Sequence, residues 1–307
     1  MSRLAAVQTA NPNKPVRVMI YGIEGVGKST FGSEAPVPIF ITPEGGIDNI
    51  PGAKAMPNVA TWDDILASVD ELTTGPHSYK TVVLDSADWI EKTAHAKILS
   101  LDKAGRSIIT ANGGYGAGYR ESEKMHRELI ERLSVLREKR GMNVIITAHY
   151  TVRTVKDPEA MSDYDAFEIK CHEMVSSLWR EWVDALLFVR FKTFLKEEEG
   201  SKTRALGDGE RVAFTEKRPS YQAKNRYGLP HEMDFKKGFF AEFMTAAGKG
   251  ELETPENVKK DIDELLGKVA DQATKDKINA HLAKIGNVVP ELVRVRNGLK
   301  TITKGAA

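Results

Sequence analysis

Residues Gly22-Ile23-Glu24-Gly25-Val26-Gly27-Lys28-Ser29 decide how this chain is read. Glycines at 22, 25 and 27 let successive backbone N–H groups turn toward one point, and such a nest holds an anion. The lysine and hydroxyl that follow suit the β/γ-phosphates of a nucleotide and a Mg²⁺ ion, respectively. Immediately upstream, Val16-Arg17-Val18-Met19-Ile20-Tyr21 has the pattern of a buried strand, and Lys28 to Ala35 is compatible with a helix. Strand, glycine turn and helix together are the context a phosphate loop requires. A glycine-rich surface turn would need none of that context. The set expected to hold nucleotide therefore runs from Gly22 through Ser29 to Thr30.

Outward from the loop, short β-branched runs alternate with helical stretches. Ile39–Thr42, Thr81–Asp85 and Asn143–Ala148 read as strands; Asp63–Leu72 and roughly Glu121–Lys139 read as helices. The fold class expected is α/β, a P-loop NTPase core with a mainly parallel central sheet. Beyond Tyr150 the texture changes. A polar loop over Thr151–Phe167, a helix near His172–Glu181 and a strand over Ala185–Phe191 are expected. Thr203–Leu206 and Arg211–Thr215, joined by Gly207-Asp208-Gly209, read as an antiparallel hairpin. Gly248-Lys249-Gly250 marks a boundary. After it Val258, Ile262, Leu265, Leu266 and Val269 share one helical face, as do Leu292, Val295, Leu299 and Ile302, with Thr254 and Pro255 opening the first helix. The division expected is a flexible arm over 1–15, a core over 16–248 and a helical region over 249–307.

The 307 residues are 41% hydrophobic and 28% charged, which excludes a wholly disordered chain, and 44 Lys+Arg against 43 Asp+Glu leave a net charge of +1. Near-neutrality neither demands nor forbids nucleic acid. One cysteine, Cys171, excludes an internal disulfide and a Cys-rich metal site, and suits a reducing cytoplasm. No apolar run approaches the roughly 20 residues of a membrane span, and no secretory leader is legible, so a cytoplasmic protein with no membrane partner is expected.

Further positions outside the loop carry candidate chemistry. Asp85 ends an apolar strand, where a carboxylate can stand beside the metal; the same residue could instead cap a helix. Glu44 lies two residues past a strand expected next to the phosphate-loop strand, and could orient the attacking water or be an ordinary loop glutamate. His149 follows another strand and could sense the γ-phosphate or bond locally. Lys224 and Arg226 form a K-x-R pair whose alternate residues face one target; a solvated basic edge is the alternative. Lent by a neighbouring subunit, such cations stabilise transition-state charge. Tyr115, Tyr119 and Arg120 beside the glycine-rich segment Asn112–Gly118 could stack on unpaired bases, and Arg153 and Lys156 could meet phosphates. Equally, the tyrosines could cover the core. Basic residues Arg294, Arg296, Lys300 and Lys304 read as a solvated helix face, or as a surface that braces the strand path, packs on the neighbouring subunit or contacts a partner.

In this order the motifs resemble RecA-like ATPases: the loop at 22–29, Phe40-Ile41-Thr42-Pro43-Glu44-Gly45-Gly46-Ile47-Asp48, Leu84-Asp85-Ser86, Ile146-Thr147-Ala148-His149 and Lys224-Asn225-Arg226. In detail the chain is similar to phage-encoded RecA-like ATP-binding proteins of the single-strand annealing and recombination type, over about residues 16–235. The resemblance implies Glu44 as catalytic glutamate, Lys224 and Arg226 as trans-acting cations, and DNA-binding loops after the Asp85 strand and after His149. His149 stands where RecA has a glutamine. Implied with these are ATP, Mg²⁺, single-stranded DNA, a homo-oligomer (ring or filament) with ATP between subunits, a single-strand binding protein as a further partner, and the cytoplasm of a bacterial host. A DNA-stimulated ATPase promoting annealing or strand exchange is the first reading. A ring helicase or translocase, and a non-motor ATP switch loading another recombination protein, are the alternatives.

Overall fold

The computed structural model describes residues 14–299 apart from 103, 157–161, 193, 197–203, 207–208, 250–254, 270, 288–290, 293 and 297. Residues 1–13 of the expected arm, the cap at Thr254, the turn at 207–208, and Ile302, Lys300 and Lys304 lie outside the described residues.

In chain order the elements are β1 (Arg17–Gly22), α1 (Lys28–Ser33), β2 (Pro38–Ile41), α2 (Trp62–Thr74), β3 (Thr81–Leu84), α3 (Ala87–Leu101), α4 (Ala117–Arg140), β4 (Asn143–Ala148), β5 (Tyr150–Val155), β6 (Tyr164–Ile169), α5 (Glu173–Trp182), β7 (Ala185–Phe191), β8 (Phe194–Lys196), β9 (Arg204–Leu206), β10 (Arg211–Phe214), β11 (Lys224–Asn225), β12 (Glu232–Asp234) and α6 (Phe239–Ala246). Two more helices, α7 (Pro255–Gly267) and α8 (Gln272–Ile285), follow. By contacts the chain divides into two units, Met1–Ala247 and Gly248–Ala307. The second has its own apolar cluster, in which Val258, Ile262, Leu266, Val269, Leu292 and Leu299 are buried.

The main sheet runs β12-β10-β7-β1-β4-β3-β2, with β11 on the remaining stretch of the β7 edge. Pairings among β7, β1, β4, β3 and β2 are parallel; β10, β11 and β12 join antiparallel. Because side chains alternate faces along a strand, each strand feeds two cores. Met19, Tyr21, Val82, Leu84, Val144 and Ile146 pack with α2, α3, α4 and α5. Val18, Ile20, Val83, Ile145, Leu187 and Val189 pack with Phe31 of α1 and Phe239, Phe240 and Phe243 of α6. Burial on both faces explains why these strands read as continuous apolar runs.

Three sequence expectations are corrected and one element is added. The strand before Glu44 does not neighbour the phosphate-loop strand: β1 has both edges filled by β4 and β7, and β2 pairs with β3 at the other end of the parallel series. Thr151–Phe167 is not simply a loop, since β5 and β6 pair antiparallel from Tyr150↔Ile169 to Val155↔Tyr164. Within the two strands Tyr150, Thr151, Val152, Thr154, Val155, Tyr164, Phe167 and Ile169 are β-branched or aromatic, which suits a pleated ribbon. The expected 203–206/211–215 hairpin is also absent: β9 pairs with β8, whereas β10 joins β7 and β12 because Val212 and Ala213 are buried in the main sheet. Helix α3 was not expected at all, although Ala87, Ile90, Ala94 and Ile98 mark its buried face.

Candidate nucleotide site

Ligands of open parallel sheets bind beyond the carboxyl ends of the strands. Here β1, β2, β3 and β4 deliver the phosphate loop, Glu44, Asp85 and His149 to that edge. Glu24, Gly25, Gly27, Lys28, Ser29, Thr30, Glu44, Asp85 and His149 line one cavity of about 390 Å³, together with Gly45, Gly46, Asn49 and Ile50.

Within the loop, Gly27 has φ 105° and opens α1. Val26 is fully buried, so only its backbone can face a ligand. The Lys28 ammonium donates to the carbonyls of Gly22 (3.1 Å) and Ile23 (2.8 Å). Burial lowers its pKa from the ordinary lysine value, opposed by the charges of Asp85 and Glu24. The Ser29 hydroxyl donates to Asp85 Oδ2 at 2.7 Å, and Asp85 Oδ1 accepts from Thr147. These are hard oxygen donors of the kind Mg²⁺ prefers. Among the described residues no group of three or more His, Cys, Asp or Glu could hold a metal. Ser29 and Asp85 would thus hold Mg²⁺ together with nucleotide oxygens, and the ion would supply charge neutralisation on the phosphates.

Glu44 lines the cavity from beyond the outer strand, and the next two residues, Gly45 and Gly46, both adopt positive φ, 81° and 85°, which glycine allows. The carboxylate is exposed and available to a water. His149 bonds locally and also lines the cavity. Its Nδ1 lies 3.0–3.1 Å from the Asp88 carboxylate, while Nε2 stands 4.0 Å from Glu24 on the cavity side. Burial would raise the Asp88 pKa, but the hydrogen bonds and charge of His149 prevail and hold it below the ordinary carboxylate value.

A family model described as an AAA domain matches residues 14–227. The chain belongs to the AAA-domain family of P-loop ATPases. No curated protein matches it. The matched span of the AAA domain begins just before β1 and ends just after the K-x-R pair.

The AAA domain does not bring Lys224 and Arg226 into the cavity that holds Lys28. They line a second cavity of about 410 Å³ with Ser177, Arg180, Glu181 and Gln222. Lys224 Nζ donates to the carbonyls of Arg180 and Glu181, both at 2.8 Å, closing the end of α5. Arg226 is more exposed, 3.4 Å from Asp184. Of the residues expected to meet DNA, Tyr115 is 97% exposed. Tyr119 is not free for stacking on both faces: its ring lies on His172 with centroids 3.8 Å apart. Arg120 donates to the Tyr115 carbonyl at 3.0 Å, Arg153 donates to the Cys171 carbonyl, and Lys156 is exposed at the end of β5.

Sequence reasoning missed the polar face of α3 that connects these groups. Asp88 holds His149, and the Glu91 carboxylate accepts from the His172 N–H at 2.9 Å. An Asp-x-x-Glu spacing after Asp85 was the available signal, legible only once α3 is recognised. Burial pushes Glu91 up from 4.5 to about 7; the Asp88 charge adds to this, against the His172 hydrogen bond and Arg153. A carboxylate raised on folding binds a proton that the unfolded chain releases, so stability falls as pH rises from about 4.5 to 7 and levels above. At about 1.4 kcal/mol per pKa unit the loss is roughly 3 kcal/mol. Glu91→Gln is expected to flatten that slope in urea melts at pH 5 and pH 7.5; an unchanged slope would assign the pH dependence elsewhere.

Proposed function

We propose that this P-loop ATPase assembles on single-stranded DNA, with each ATP completed by a neighbouring subunit, and promotes annealing or strand exchange in phage recombination in the cytoplasm of a bacterial host. The observation that carries the assembly is the separation of the two cation sets. Gly22 is in register with Val189, but Lys224 pairs with Leu186, three residues back along β7. That is roughly 10 Å toward the opposite end of the sheet, at its antiparallel edge. Lys224 and Arg226 are thus turned away from their own chain's phosphate loop, as cations serving another chain's loop would be.

In this reading Glu44 orients the attacking water, Lys28 and the partner's cations meet the charge that develops on the γ-phosphoryl group, and His149 senses its loss. Asp88, Glu91 and His172 then link His149 to Tyr119 and to β5, where the candidate DNA contacts stand. The fully exposed Tyr115 ring supports base stacking, worth ~1–3 kcal/mol per base.

Electron microscopy with single-stranded DNA, with and without a non-hydrolysable ATP analogue, tests this reading. Regular assemblies that follow the strand only when nucleotide is present are expected, and Tyr115→Ala should weaken strand binding about tenfold. Monomers under every condition would defeat it. Closed rings that unwind duplex directionally would replace it with the motor reading.

A further inference from the structure

Arg211 opens β10 and lies far from the phosphate loop in sequence, yet its Nη1 donates to the Val26 carbonyl at 3.0 Å. A trans peptide points its C=O and its N–H in opposite directions. Fixing the Val26 oxygen toward Arg211 therefore turns the Gly27 N–H the other way, and Gly27 lines the cavity with Lys28 and Ser29. The approach is close. A Cβ at Gly27 would stand 2.7 Å from Arg211 Nη1 and 3.3 Å from Phe235 Cε1.

The guanidinium is itself held. Its central carbon lies 5.5 Å from the centroid of Phe235, whose N–H donates to the Arg211 carbonyl at 2.9 Å. Phe235 is buried edge-on against Phe239, and Phe239 and Phe240 pack on Phe31 of α1. At the other end of α1 the Glu34 carboxylate accepts from the N–H groups of Gly238 (2.7 Å) and Phe240 (3.2 Å). The stretch from Phe235 to Phe240 thus grips α1 at both ends, and Arg211 extends that grip to the loop. Among the described residues no carboxylate stands at ion-pair distance from Arg211, so its charge is not cancelled locally beside a cradle built for an anion.

We propose that Arg211 is a positioning residue of the nucleotide site, holding the Val26–Gly27 peptide in its phosphate-receiving orientation and adding positive potential to the loop. The proposal rests on the loop being the ATP site. Lysine cannot replace it fully, because an ammonium lacks the planar fork that bonds the carbonyl while lying on Phe235.

The test is titration of a fluorescent ATP analogue with Mg²⁺ into the full chain and its Arg211→Ala, Arg211→Gln, Arg211→Lys and Lys28→Met variants, with melting of each nucleotide-free protein. Arg211→Ala and Arg211→Gln are expected to bind about tenfold or more weakly, and Arg211→Lys in between. Millimolar guanidinium chloride, far below the unfolding range, should restore much of the Arg211→Ala loss and none of the Lys28→Met loss. Binding by folded Arg211→Gln within about twofold of the unaltered protein overturns the proposal while the ATP reading stands. Weakening that guanidinium does not relieve, in step with a lower melting temperature, also overturns it by showing a structural role. Absence of binding by the unaltered protein overturns the ATP reading itself.

Discussion

Lys28→Met is expected to lower ATP hydrolysis by about 10³-fold or more, roughly 4 kcal/mol of transition-state stabilisation, while the nucleotide-free protein still folds. Charge developing on the transferred phosphoryl group needs a preorganised cation, and Lys28 is the loop's only lysine, buried at the cavity wall. The fold should survive because two effects oppose. The variant removes donors from the carbonyls of Gly22 and Ile23, but it also relieves the burial of an ammonium whose pKa is already depressed. Phosphate-release assays and thermal melts check both halves. Hydrolysis within tenfold of the unaltered protein would place the chemistry elsewhere.

Arg226→Ala should lower kcat by about 10³-fold with little change in KM, since a cation lent across an interface meets charge that exists mainly in the transition state. Its own chain should scarcely notice: the Arg226 side chain is 56% exposed in its pair with Asp184, so the stability change is expected below about 1 kcal/mol. Complementation is the sharper measurement. Equimolar Arg226→Ala and Lys28→Met chains, each inactive, should regain roughly a quarter of full activity when mixed. Random head-to-tail assembly pairs an intact loop with an intact arginine at one interface in four. A mixture as inactive as its components would show that the two residues do not meet across subunits.

The candidate site was legible in the sequence wherever a motif is local. Residues 22–29 carry the glycines, the lysine and the hydroxyl in one turn, and Asp85 and His149 each end an apolar run, so strand ends could be read without knowing which strands pair. Order within the sheet was not legible, and the position of Glu44's strand was misjudged for that reason: parallel pairing is set by crossovers and by which edges remain open. Composition hid the β5–β6 ribbon behind polar side chains. It also hid α3, whose Asp88 and Glu91 interrupt an apolar face because His149 and the His172 N–H partner them.

Sequence by itself determined an α/β chain with an anion cradle, since backbone freedom at three glycines and the alternation of apolar runs are properties of neighbouring residues. Tertiary structure alone decided the rest. It took the Lys224 and Arg226 side chains away from their own chain's loop, seated Tyr119 on His172 and brought Arg211 onto Val26. Contacts between distant positions depend on strand order and register, and no local pattern encodes either.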